Sequence, residues 1–102
     1  MKRPEIVKRI KEVLKQVAPN AQAILFGSEA RGDARPDSDI DLLILVDKEK
    51  ITLEEEQSIT HPLFHIEYET GVLINPIVRP KILWGKLVTP FYNNVMKEGI
   101  LL

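Results

Sequence analysis

A chain of 102 residues, 44% hydrophobic and 28% charged, has the size and make-up of one globular domain spanning 1–102. Its net charge of −1 supplies no field for nucleic acid or a membrane surface, and the lack of cysteine excludes disulfides and thiolate metal sites. No apolar run approaches the ~20 residues of a membrane span, and the basic start MKRPEIVKRIKEVLKQV lacks the apolar core of a signal peptide, so a cytoplasmic protein is expected.

Residues 4–17 read as a helix. Ile6, Val7, Ile10, Val13, Leu14 and Val17 form one apolar stripe, Pro4 fits the first turn, and Pro19–Asn20 ends the element. Lys8, Arg9, Lys11, Glu12 and Lys15 fall on the other face and read as a solvated surface, since no aromatic residues interleave with them. Residues 22–27 and 40–46 read as two short buried strands. Thr52 and Glu55 have capping-box spacing, so a second long helix starts near Leu53. Leu53, Ile59, Leu63 and Ile66 are its expected buried stripe; Pro62 should kink or split it, and Gly71 should stop it. Residues 72–78 form a third strand, with Pro76 pointing to an edge or a bulge. One helical turn is expected after Pro80. Thr89 caps and Pro90 opens a last helix that Gly99 ends, and ILL closes the chain as a packed tail. Trp84, Phe91 and Tyr92 read as core or interface residues. The expected fold is α+β, two layers: a small mixed sheet with helices packed on it, strands one and two paired directly, strands two and three parallel through a right-handed crossover.

The segment between the first two strands, GSEARGDARPDSDID (Gly27–Asp41), is far too charged for a plain connection. Asp39 and Asp41 stand at i and i+2 at the start of a strand, so both carboxylates face the same way. Adjacent carboxylates repel unless a cation joins them, and hard oxygen ligands of this kind suit Mg²⁺ with substrate phosphates in its shell. At the other end, Gly27 lets the backbone approach a ligand, and Ser28 and exposed N–H groups make an anion nest. Arg31 adds a planar fork suited to phosphate. His61 and His65 are four apart on a helix, but Pro62 lies between them and no third ligand is evident, so a zinc site is not expected there.

The run GSEARGDARPDSDIDLLILV closely resembles the G-S-x-A-R-G…S-D-x-D-L signature of minimal nucleotidyltransferases of the DNA polymerase β superfamily, with ten residues between Ser28 and Asp39. The resemblance implies a nucleotidyltransferase fold and a transferase that moves a nucleoside monophosphate, AMP from ATP, to a hydroxyl. It implies that Gly27 and Ser28 bind the β and γ phosphates, that Arg31 braces the turn or touches phosphate, and that Asp39 and Asp41 are catalytic and hold two Mg²⁺ ions. The family usually has a third carboxylate on the strand after the connecting helix. Here that strand is VLINPIV, without Asp or Glu, and Asn75 is its polar side chain; Glu67 and Glu69 lie just upstream as possible substitutes. A chain this small is expected to carry no acceptor-presenting domain, so the acceptor is expected to come from a partner or to be small. The resemblance implies a HEPN-domain toxin, with this chain as antitoxin, or else a homo-oligomer. The missing carboxylate supports a second reading: a nucleotide- and metal-binding module that neutralises or scaffolds a partner without catalysis.

Overall fold

The computed structural model describes residues 1–102. In chain order it contains α1 (Pro4–Val17), β1 (Gln22–Phe26), α2 (Gly27–Arg31), β2 (Ile40–Val46), α3 (Leu53–Thr70), β3 (Ile74–Pro80), a 3₁₀ turn (Lys81–Leu83), α4 (Pro90–Glu98) and β4 (Ile100–Leu101). The four strands form one mixed sheet in the order β3-β2-β1-β4. β2 pairs antiparallel with β1 and parallel with β3, and α3 makes the crossover. Pro76 therefore sits on an edge strand, where its missing N–H breaks no inner ladder.

Strand alternation sorts the residues into two layers. Ala23, Leu25, Ile40, Leu42, Ile44, Ile74 and Val78 face one side. There they meet Ile6, Val7, Ile10 and Leu14 of α1 and Ile59, Leu63 and Ile66 of α3 in the main core. Leu43 and Leu45 face the other side, packed with Val95 of α4 and against Ile24, Phe26, Ile77 and Trp84. Phe91 stands edge-on to both Phe26 and Trp84, with ring centroids 5.4 and 5.8 Å apart, so the aromatic residues of the last third roof this smaller core.

Four expectations need correction. The turn after β1 is a short helix, α2, entered through Gly27 at φ +76° and closed by Gly32 at φ +84°; five residues are too few to show helical periodicity. Of the closing ILL, expected as a packed tail, two residues form a strand: Ile100 and Leu101 pair with Leu25 and Ile24 and cover the otherwise open edge of β1. Pro62 does not split α3, which continues from Leu53 to Thr70. Burial of Ile59, Leu63 and Ile66, at about 1.5–3 kcal/mol each, outweighs the ~3 kcal/mol of an interior proline. Leu53 is exposed, and the buried stripe of α3 takes Thr60 instead.

The Thr52 cap holds as expected, its hydroxyl accepting from the Glu55 N–H at 3.1 Å. The Thr89 hydroxyl does the same for Tyr92. No helix is long and apolar enough to cross a membrane.

Candidate active site

The expected site residues meet at one end of the sheet. β1 ends at Phe26, whose register partner on β2 is Asp41; Asp41 in turn stands beside Asn75 on β3. Gly27 continues directly from Phe26 into α2, with Ser28 and Arg31 following on that helix. Asp39 is exposed just before β2, while Asp41 is half-buried. Asp41 lies on the sheet face that α4 covers, because it alternates with Ile40 and Leu42 of the main core, and Asp39 is close enough for its charge to act on it.

Gly27 and Asp41 fit each other closely. A Cβ built at position 27 would overlap Asp41 Oδ2, and the positive φ there already disfavours a side chain. Gly27→Ala is therefore expected to push the Asp41 carboxylate out of place while adding about 1–2 kcal/mol of backbone strain. The melting temperature should drop by several degrees, and any affinity for metal–nucleotide should fall by at least about tenfold, roughly 1.4 kcal/mol. Calorimetry with Mg²⁺–ATP checks this; an unchanged affinity counts against a role for the Gly27–Asp41 contact.

Burial pushes the Asp41 carboxyl above its ordinary value; the Asn75 hydrogen bond opposes this, the charge of Asp39 adds to it, and Arg31 offsets it in part. Asn75 Nδ2 donates to Asp41 Oδ1 at 3.3 Å. Asn75 thus stands beside Asp41 on the strand where the resemblance implies a third carboxylate. The two upstream glutamates are used elsewhere. Glu67 Oε1 accepts from the Ile74 N–H at 2.7 Å and so helps start β3, and Glu69 pairs with Arg9 at 2.8 Å.

The chemistry of the donor set suits a hard divalent cation. Asp39 and Asp41 supply carboxylate oxygens whose mutual repulsion a cation relieves, and the Asn75 amide oxygen could turn toward it. The fold assembles no group of three or more His, Cys, Asp or Glu residues, so an ion held here completes its shell from substrate and solvent. His61 and His65 lie on the exposed face of α3 beside Phe64 and Tyr68, and none of the site residues lines that surface with them.

Two further features escaped the sequence reading. Glu29, fully buried, forms an ion pair with Arg3 at 2.7 Å and accepts the backbone N–H groups of Lys2 and Arg3 at 2.7 and 2.8 Å. Arg3 also donates to the Ser38 carbonyl at 2.8 Å. One buried pair therefore ties the residue after Ser28 to the residue before Asp39. The other is Glu98, at the end of α4, which accepts from the Gly27 N–H and from Arg31, both at 3.0 Å. A carboxylate on the last residue of a helix, against the dipole, was the available signal.

Beyond Asn75 on the same face, Ile77, Arg79, Pro80, Leu83, Trp84 and Phe91 line an open pocket of about 330 Å³.

Comparison with known proteins bears on the whole chain. A family model described as a nucleotidyltransferase domain matches residues 7–102. A protein of Methanocaldococcus jannaschii named "Putative protein adenylyltransferase MJ0141" is 38% identical over 101 residues, covering 94% of this chain and 97% of its own. A second, "Putative protein adenylyltransferase MJ0604" of the same organism, is 40% identical over 80 residues, covering 78% and 74%. A solved structure described as a putative minimal nucleotidyltransferase superposes with a TM-score of 0.67 at 29% identity, covering 100% of this chain and 97% of that one. A Sulfolobus solfataricus structure described as a putative nucleotidyltransferase shares the fold, with a TM-score of 0.63 at 21% identity, covering 95% and 76%.

Proposed function

Because the chain belongs to the nucleotidyltransferase domain family, we propose that it transfers AMP from ATP to a hydroxyl of a protein acceptor in a Mg²⁺-dependent reaction. The observation that carries this reading is the register Phe26–Asp41–Asn75, which sets the Asp39/Asp41 pair beside the Gly27–Ser28 turn. In this reading Gly27, Ser28 and Arg31 hold the β and γ phosphates, and the α-phosphorus lies toward Asp41. Asp39 and Asp41 would hold Mg²⁺, which supplies charge neutralisation on the phosphates when bound. The acceptor oxygen forms a bond to the α-phosphorus, the bond to the bridging oxygen of the β-phosphate breaks in line, and pyrophosphate leaves. The amide of Asn75 cannot take the hydroxyl proton, which must pass to a carboxylate or to solvent.

The protein acceptor has a physical basis in the surface beside the pocket. Leu83 and Phe91, which line the pocket, are exposed, and so are Ile82, Leu87, Val88 and Met96 of the same stretch of chain. The partner we favour, on the family resemblance, is a HEPN-domain toxin for which this chain is the antitoxin; a homo-oligomer is the other candidate.

The test is label transfer. The protein is incubated with Mg²⁺ and α-phosphate-labelled ATP in lysate of its own host, beside Asp39→Asn. A discrete labelled band is expected, weaker by about 10³-fold with Asp39→Asn, a loss comparable to removing a principal electrostatic stabiliser. Equal labelling by that variant sinks the proposal.

One observation favours a second reading. The strand beside Asp41 carries Asn75 and no carboxylate, and Asn75 donates to Asp41. A chain so built could bind Mg²⁺–nucleotide and neutralise a partner without transfer. Full neutralisation by an Asp39→Asn/Asp41→Asn protein is the outcome expected of that reading.

A further inference from the structure

Glu98 is the last residue of α4, where the negative end of the helix dipole disfavours a carboxylate. Its side chain nevertheless turns inward and is only 20% exposed. Both oxygens are used: Oε1 accepts from the Gly27 N–H and Oε2 from Arg31 Nη1. These two donors belong to the group assigned above to nucleotide phosphate. A carboxylate and a phosphate edge make the same demand on them, two negative oxygens accepting from an amide and a guanidinium.

We propose that Glu98 is an affinity-setting residue of the nucleotide site: its carboxylate occupies the anion position at Gly27 and Arg31, and a phosphate of the nucleotide must displace it to bind. This deepens the nucleotidyltransferase reading and rests on it. The Arg31 hydrogen bond, against burial and with help from the Gly27 N–H, holds the Glu98 carboxyl below its ordinary range, as expected of a carboxylate in an anion site. The guanidinium of Arg31 is divided between Glu98 and Asp33, at 3.0 and 3.2 Å, so neither of its anionic partners is a ligand.

The surrounding backbone limits how displacement happens. The Gly99 N–H bonds the Val95 carbonyl at 2.7 Å. A Cβ at Gly99 would overlap that carbonyl oxygen and lie 2.7 Å from Ile24 Cγ2. Ile100 and Leu101 then pair with Leu25 and Ile24. The end of α4 is thus pinned to β1, and Glu98 leaves by side-chain rotation toward solvent rather than by departure of the helix. Exchange of one anion for another at fixed backbone lowers the net gain from each phosphate contact, so the residue sets affinity without reshaping the site.

Calorimetry with Mg²⁺–ATP tests this on wild type, Glu98→Gln and Glu98→Ala. Both variants are expected to bind about tenfold tighter, the low end for a hydrogen bond to a charged group. Folded variants that bind equally or more weakly overturn the proposal while leaving the function above intact. Unchanged binding with lost transfer also overturns it, because Glu98 would then act in the chemistry. No binding by wild type or either variant overturns the nucleotide reading itself, and this inference with it.

A measurement on the wild type guards against misfolded variants. On addition of Mg²⁺–ATP, the Gly27 amide and the Glu98 carboxyl carbon resonances are expected to move together in NMR spectra. A Glu98 carboxyl signal that stays fixed while the Gly27 and Ser28 amides shift overturns the displacement.

Discussion

Glu29→Ala is expected to remove about 3–5 kcal/mol of folding stability, the usual cost of deleting one partner of a buried ion pair. For a domain with a typical total of about 5–15 kcal/mol, that is a large share. The carboxylate accepts three hydrogen bonds, from the Lys2 and Arg3 N–H groups and the Arg3 guanidinium. Its loss orphans all three donors. Arg3 Nη2 is buried without a partner even in the intact protein, so the pair is not fully compensated and the lower end of the range is expected. Urea denaturation measures the loss; a change below about 1 kcal/mol, the scale of an exposed pair, counts against the staple.

The same pair makes stability depend on pH. Burial alone would raise the Glu29 carboxyl, but the backbone and side-chain bonds from Arg3 and the Lys2 N–H outweigh it and hold the carboxyl below its ordinary 4.5. Its native state therefore binds fewer protons than the unfolded state, and stability rises with pH in that window. The contribution is complete above the ordinary carboxylate value and disappears as pH falls through the depressed native one. Glu29→Ala should flatten that part of the acid profile.

Asn75→Asp is expected to raise nucleotidyl transfer by about 10²-fold, the lower bound for a positioned general base. The register makes the case: Asn75 and Asp41 are paired on adjacent parallel strands and their side chains touch. The substitution puts a proton acceptor and a third oxygen ligand beside the existing pair. It also replaces a hydrogen bond by repulsion, so without divalent cation the variant should melt at lower temperature than wild type, and Mg²⁺ should recover the difference. Initial rates of label transfer at saturating Mg²⁺ decide it. An unchanged rate in a folded variant means the acceptor proton does not leave on the β3 side.

Much of the site was legible because its signals are local. Gly27, Ser28, Arg31, Asp39 and Asp41 fall within fifteen residues, in a spacing that turn chemistry and strand alternation make meaningful. Helices α1 and α3 were readable from 3.6-residue periodicity and caps, since Pro4, Thr52 and Gly71 act on the backbone next to them. What failed had weak local signal. α2 is five residues long and β4 only two, too short for a period to repeat. Pro62 does not end α3 because a helix interior tolerates proline when a buried stripe outweighs it. Glu29 reads in sequence as the variable residue of its motif, and nothing beside it hints at burial.

Alone, the sequence determined the types of the longer elements, the motif and the two carboxylates, all written in residues that neighbour one another. Only the tertiary structure decided which distant groups meet them. Arg3 reaches Glu29 across 26 residues, Asn75 reaches Asp41 across 34, and Glu98 reaches Gly27 across 71. Each contact depends on strand register and helix packing, which follow from burying the whole core at once, and no local pattern along the chain encodes that global balance.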